Sequence, residues 1–569
     1  MPLITTPRLN ESGLIDKTYK IEVVFDSTVK ELNYYHYKDS EELFGTKWSA
    51  SGNSFGVVDG EAMMVVVPYF DKDKISNYND NGSFKFPIGS IDDFLEYTLE
   101  VVNRMDKMIG LEFDAKNALD QNFRTKCLIV ADAGYGSGAY YMGTFIGISS
   151  ASVSAAFQYG WGTLHEIAHG YQGTLGKGAN SKGSLYLNET GNNILAHYIQ
   201  MDRTLYKKTD SYIGLLSSAE QKMNESRKSK VREGKTIFNN DNGTYTNTQE
   251  KLYCIVNLLD NFEGSVTYGK LFKYFRKIAY ESGVNAFSVA DIYARFFADE
   301  YGANIIPYLK SWTMEISNET CREIMEKNLP AYVITADGVG NENLEEFKQN
   351  NDITLDYGLV NEEIVRQEHI QGNLNLKIEI DDFSKIKGES VGLFYQSHLV
   401  KMAVIKNTEV EFKNLQAGTY EVRMPTIYGY NNSFCMATIC NGENEVTHKY
   451  SHIVLPDYST ITHQTSIRIY GVNNTLGYTL DFNNNYSKAK ITLGAANMGN
   501  LTNYWKNKPD ETYIKVIIRN DQREEISALQ IKGGEYFINQ PLENANVDIK
   551  IGYTIIVSTF RPGLVKVYS

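Results

Sequence analysis

Apolar residues recur at helical spacing over 91–109, again over 164–175 and 187–201, and repeatedly between 248 and 329. Beyond residue 330 the long helical periods stop, and short alternating runs separated by Asn and Gly turns take over. Ahead of the first helix, 20–25 alternates as a short strand, 63–69 reads as a buried strand, and 71–82 as a polar loop. Residues 126–130 form another strand, and the helix at 91–109 carries Asp92 and Asp93 in its first turn, where the macrodipole favours acids. Helical runs at 253–259, 271–280, 289–299 and 305–314 form a helical subdomain. In the β half, 374–380, 391–395 and 419–424, with Gln416-Ala417-Gly418 as a turn, predict a sandwich to about residue 455. A second β region fits 466–470, 478–482, 489–493, 513–518 and 549–558. The pattern predicts an α+β chain.

Length agrees: 569 residues are too many for one core. A formal charge of -13 argues against binding nucleic acid, which needs a basic surface. No apolar run approaches the ~18 residues that span a bilayer, so no membrane span is expected, and no signal peptide is visible at the N-terminus. The odd count of five cysteines leaves at least one free; Cys435 and Cys440 suit a bridge or a reduced β-strand pair equally. The 40 Tyr residues fit either sandwich surfaces or sugar-stacking platforms, and composition does not choose.

Candidate chemistry is concentrated in His165-Glu166-Ile167-Ala168-His169. Residues four apart share a helix face with Cβ atoms roughly 5–6 Å apart, so both imidazoles reach one metal ion. Chance alone supplies on the order of 0.01 such matches in a chain with so few histidines. Leu164, Ile167, Ala168, Tyr171 and Leu175 define an apolar side, while His165, His169 and Gln172 share another. Glu166 lies at the edge of the ligand side, where it can act on water instead of holding the ion. Gly170, Gly173, Gly176 and Gly178 end the helix within a turn or two.

A third ligand must come from downstream. A His six residues after His169 would make a metzincin, but that position is Leu175. Glu189 and His197 compete, and with about 12 Å of helix between them only one fits. Glu189 is preferred, because a carboxylate needs no deprotonation at neutral pH and the spacing matches two-His-one-Glu zinc hydrolases; the plain alternative is a first-turn acid favoured by the helix dipole. Asn192 and Asn193, one turn further on, are candidates for orienting the imidazoles, with helix-surface amides the simpler reading. Gly134-x-Gly136-x-x-Ala139 imitates a dinucleotide fingerprint, but 140–149 is aromatic, β-branched and glycine-rich where that fingerprint requires a helix.

His165 to His169, Glu189 and the preceding Ala131-Asp132-Ala133-Gly134-Tyr135-Gly136-Ser137-Gly138-Ala139-Tyr140-Tyr141 together resemble the enhancin family of gluzincin metallopeptidases. The resemblance runs from about Tyr34 to the C-terminus, is strongest around the zinc motif and thins beyond residue 370. It implies a gluzincin-like metallopeptidase domain, a mixed sheet plus zinc-binding helices and a helical subdomain, followed by one or two β-sandwich domains. The expected division is an N-terminal strand segment at 1–30, a peptidase domain at 31–330 (upper subdomain 31–180, helical subdomain 181–330), a linker at 331–370, a β-sandwich at 371–455 and a C-terminal β domain at 456–569. One catalytic Zn2+ is implied, on His165, His169 and Glu189, with Glu166 as general base. Gly138, Ala139, Tyr140 and Tyr141 would lie along the cleft, where an edge strand pairs with a substrate backbone; a simple hairpin loop is the alternative.

The implied substrate is a mucin-type glycoprotein, with glycan contact through the C-terminal β domains and an extracellular or virion-associated location. A second class of function is a glycan- or mucin-binding protein whose zinc site is structural or vestigial, and hydrolysis of a non-peptide bond is a third.

Overall fold

The computed structural model of the protein describes residues 31–76, 88–122, 126–132, 138–157, 160–202, 204–206, 220–238, 248–427 and 429–452, and shorter stretches between 466 and 568. The expected segment 1–30 with its strand at 20–25 lies outside the described residues, as does 133–137 of the Gly/Tyr stretch. The architecture is α+β, and its contacts divide it into two compact units.

The first unit takes its described residues from 1–180, 186–223 and 240–286. Short β-branched runs form its strands: β1 (Asn33–His36), β2 (Phe55–Asp59), β3 (Met63–Pro68), β4 (Cys127–Asp132), β5 (Ala139–Tyr141) and β6 (Ile146–Ser149). They lie side by side in the order β1-β2-β3-β4-β6-β5. The pairs β1/β2, β3/β4 and β4/β6 are parallel, whereas β2/β3 and β5/β6 are antiparallel. Val57, Val58, Met63, Val65, Val67, Ile129, Ile146 and Ile148 are all buried. A sheet covered on both faces explains why these strands read as continuous apolar runs.

Helices α1 (Glu41–Ser51), α2 (Ile91–Met108), α3 (Val153–Phe157), α4 (Trp161–His169), α5 (Gly173–Lys177) and α6 (Gly191–Met201) complete this part, with further helices at Thr248–Asp260 and Ser265–Ser282. The Ser90 hydroxyl caps α2 by accepting from the Asp93 N–H at 3.0 Å, and Asp92 and Asp93 fill its first turn. Phe94, Thr98, Val101, Val102 and Met105 then bury one face at helical spacing. The expected loop at 71–82 is described to residue 76 and begins as a 3-10 turn, Tyr69–Lys74.

The second unit takes 181–185, 224–239 and everything from 287 onward. Its helices Val289–Glu300, Ile306–Ser311 and Asn318–Glu326 group by their contacts with the strands that follow. The segment 331–370, expected as a linker, is folded. Strands Tyr332–Ile334 and Leu359–Asn361 pair antiparallel. Helices Thr335–Val339, Leu344–Asn351 and Glu362–Gln367 join them around Val333, Val339, Phe347, Val360, Val365 and Ala417. Elements this short bury side chains only against neighbours distant in sequence, which is why periodicity does not reveal them.

Residues 371–452 form two facing sheets. Strand Gln371–Glu379 lies between Glu409–Gln416 and Gly442–Lys449; opposite, Ser390–Tyr395 and Gly418–Arg423 lie between His398–Val404 and Met436–Ile439. Leu374, Leu376, Val391, Leu393, Phe412 and Val422 meet in the core between them. Further along, a five-stranded sheet holds Ser466–Tyr470, Leu476–Phe482, Lys488–Ala495, Ala545–Asp548 and Lys566–Tyr568, and a three-stranded one holds Thr512–Arg519, Glu525–Lys532 and Thr554–Thr559. All five cysteines are free, Cys435 and Cys440 included.

Candidate functional site

Helix α4 begins at Gly160 and runs only to His169, where Gly170 caps it. Leu164, Ile167 and Ala168 pack its apolar side, and the opposite side is also enclosed: His165 and Glu166 are each 8% exposed. Helix α6 packs against α4 and brings the residues just ahead of it alongside the imidazoles. Gly191, the first residue of α6, lets that end of the helix lie against α5, because a Cβ there would sit 1.9 Å from the Gly176 carbonyl oxygen. Glu189 precedes the helix by two residues, and its carboxylate extends to both rings. Its Oε2 lies 3.1 Å from His165 Nε2 and 3.6 Å from His169 Nε2.

One side-chain donor atom from each of His165, Glu166 and His169 lies within 4.8 Å of the other two. Burial pushes the Glu166 carboxyl above the usual carboxylate range, opposed by the imidazoles and reinforced by Glu189.

The donor set fits a metal ion. Each Nδ1 faces an amide oxygen, His165 on Asn193 Oδ1 at 3.0 Å and His169 on Gln172 Oε1 at 2.8 Å. The Nε2 atoms are thereby left to present lone pairs beside the same carboxylate oxygen. Three electron-rich atoms at this spacing repel unless a cation sits among them, and two imidazoles with one carboxylate are a set that leaves a position open on zinc. Asn192 Nδ2 stands 3.0 Å from His169 Nε2 and 3.3 Å from the His165 carbonyl. A cation at the convergence point would take the Nε2 lone pair and leave that amide its carbonyl.

These groups open onto a cavity of about 410 Å³ that Gly138, Ala139, Ile148, Ser152, Trp161 and Thr248 also line. Of the four residues expected along the cleft, Gly138 and Ala139 line it, while Tyr140 and Tyr141 diverge as neighbours on a strand must. Tyr140 lies across Gly147, where a Cβ would meet its ring at 2.1 Å. Tyr141 stacks on His169 with ring centroids 5.9 Å apart. Both sit on β5, the edge strand of the sheet. His197 is buried outside the cavity lining, and burial pushes its imidazole down to about 4.

Sequence reasoning passes over Trp161, although it stands one turn before His165 and stacks near it with centroids 4.6 Å apart. Asn192 and Asn193, read most simply as surface amides, are 0% and 2% exposed.

Residues 72–313 match the model of the family described as peptidase M60, enhancin and enhancin-like. No curated protein matches the sequence. Among solved structures, a functionally unknown conserved protein from Bacillus anthracis is 14% identical, with 72% of this chain and 77% of that one covered and a TM-score of 0.40. The catalytic module of the metalloprotease ZmpA from Clostridium perfringens is 10% identical, with coverages of 81% and 74% and a TM-score of 0.35. The M60 catalytic domain of ZmpC from Clostridium perfringens, in complex with the sialyl T antigen, is 14% identical, with coverages of 69% and 73% and a TM-score of 0.35. Among the described residues, no helix is long and apolar enough to cross a membrane.

Proposed function

We propose that this protein is a zinc-dependent endopeptidase that hydrolyses peptide bonds of mucin-like glycoproteins outside the cell or on a virion. The observation that carries the reading is the convergence of His165 Nε2 and His169 Nε2 on Glu189 Oε2, at 3.1 and 3.6 Å, with Glu166 beside them in an open cavity. The family match supports the peptidase chemistry. The mucin-like substrate rests on the enhancin resemblance and is the narrower part of the proposal.

His165, His169 and Glu189 would hold the ion. When bound, zinc would supply Lewis acidity to a scissile carbonyl and lower the pKa of an attacking water. Glu166 would take a proton from the water and deliver it to the leaving amine. Its burial favours the task, since a carboxyl raised above its ordinary range is a stronger base when ionised. Ala139, the first residue of the β5 edge, would offer its main-chain groups to an extended substrate, with Gly138 beside it in the cavity lining and Tyr140 and Tyr141 behind. The working division is a peptidase region over 31–330 with β regions at 371–455 and 456–569, the latter available for glycan contact.

The test is a digest of mucin by the full chain with and without a chelator, read for new N-termini, followed by zinc add-back. New termini that vanish with chelator and return with zinc are expected. Mucin binding that ignores the chelator and yields no new termini would overturn the peptidase reading in favour of a glycan-binding protein.

A further inference from the structure

We infer that Gln172 and Asn193 are a reciprocal pair of positioning residues, each tying one metal-facing imidazole to the backbone that carries Glu189. The inference rests on the metallopeptidase reading above and deepens it.

Each side chain does two different jobs with its two ends. Asn193 Oδ1 lies 3.0 Å from His165 Nδ1, and its Nδ2 donates to the Glu189 carbonyl at 2.6 Å. Gln172 Oε1 lies 2.8 Å from His169 Nδ1, and its Nε2 donates to the Asn188 carbonyl at 2.6 Å. Gln172 follows the second histidine by three residues and reaches forward to the glutamate segment. Asn193 follows the glutamate by four and reaches back to the first histidine. The two braces run in opposite directions across the same gap.

The orientation of both amides follows from partners that can act in only one sense. A main-chain carbonyl only accepts, so the amide atom against Glu189 or Asn188 must be nitrogen. The Trp161 indole N–H only donates, and it points at the other end of Asn193, Oδ1, at 3.1 Å. Oxygen therefore faces each Nδ1, each Nδ1 carries the proton, and each Nε2 keeps its lone pair on the side of Glu189. A carboxylate could not replace either amide, having no donor for the carbonyl 2.6 Å away. Gln172 and Asn193 are 1% and 2% exposed, so water does not stand in for a lost partner.

The test uses the full-length chain, stripped of metal and titrated with zinc, alongside 15N spectra of its imidazoles in the zinc-free state. Asn193→Leu and Gln172→Met keep most of the volume and remove both hydrogen bonds; each is expected to weaken zinc binding by about 10- to 100-fold. Asn193→Leu should lower the Nδ1–H tautomer population of His165 and spare His169, and Gln172→Met should do the reverse. Trp161→Phe, which keeps an aromatic ring but loses the N–H and part of the indole's volume, should weaken zinc binding several-fold and loosen His165 alone. A general packing defect would not select one ring. Zinc binding by the wild type with unchanged affinity and tautomers in all three variants would overturn the positioning role alone. A wild-type chain that binds no zinc would overturn the metallopeptidase reading and this inference with it.

Discussion

The contact between α4 and α6 and the sandwich at 371–452 are both well-buried interiors, yet they are built from different material. Around this contact His165, Gln172, Asn192 and Asn193 are enclosed and joined by hydrogen bonds to one another or to main-chain carbonyls, with Glu166 enclosed beside them. The sandwich encloses Leu374, Leu376, Ile378, Val391, Leu393 and Phe412, with Thr419 and His448 as its buried polar side chains among the described residues. Apolar burial is non-directional and tolerates small shifts, whereas a buried hydrogen bond fixes distance and angle, and losing one partner strands the other. The first interior holds atoms at stated positions; the second only has to stay dry and filled.

Substitutions can break or sharpen this contrast. The largest effect is expected for Glu166→Gln, which keeps the shape of the site and removes the base. Turnover of mucin or a peptide should fall by about 10^3-fold while zinc content, read by metal analysis, stays the same. Full turnover in that variant would take Glu166 out of the mechanism. Phe412→Ala should do the opposite. It hollows the sandwich and should cost about 3–5 kcal/mol by denaturant unfolding, while the folded fraction retains its turnover and metal content. Equal damage to turnover would mean that the two interiors are less independent than their construction implies.

A third effect concerns pH. Burial raises the Glu362 carboxyl, at the start of helix Glu362–Gln367, from 4.5 to about 7, against hydrogen bonds from Thr419 and the charge of Arg366. The folded chain then holds this proton more tightly than the unfolded chain. Its contribution to stability is complete below about 4.5, falls as pH rises, and is gone above about 7. Glu362→Gln removes that fall. Its stability relative to wild type should climb across the same window by on the order of 3 kcal/mol and level off above it, as unfolding at a series of pH values would record. A difference independent of pH would rule out the buried acid as its source.

The smallest effect is expected where α6 begins against α5. Gly191→Ala places a methyl against the Gly176 carbonyl and should cost about 1–3 kcal/mol as α6 shifts. The shift carries Glu189 with it, so zinc affinity should fall further than melting temperature suggests. Unchanged affinity would show that the helix start and the ligand are less tightly coupled than their separation of two residues implies.

Local regularities are legible in the chain itself. The period of 91–109 requires a helix, and Ile91–Met108 is one. Alternation near 374–380 requires a strand with one buried face, and Gln371–Glu379 buries every second residue. Four-residue spacing puts His165 and His169 on one side of a helix, and both Nε2 atoms do face Glu189 Oε2. Each of these follows from the pitch of a helix or the pleat of a strand, which neighbouring residues define among themselves.

Tertiary contact decides the rest. Asn192 and Asn193 look like surface amides until α4 covers them, and 331–370 looks like a linker until its short elements find Val333, Phe347 and Val365 to enclose. Tyr140 and Tyr141 are alike in the chain, and only the pleat of β5 sends one across Gly147 and the other against His169. Which carbonyl an amide reaches, and so which imidazole nitrogen carries the proton, depends on groups that lie far from one another along the chain, as Asn193 does from His165 and Gln172 from Asn188. Hydrogen bonds at that separation have no period to leave in a sequence, because packing brings their partners together and spacing does not.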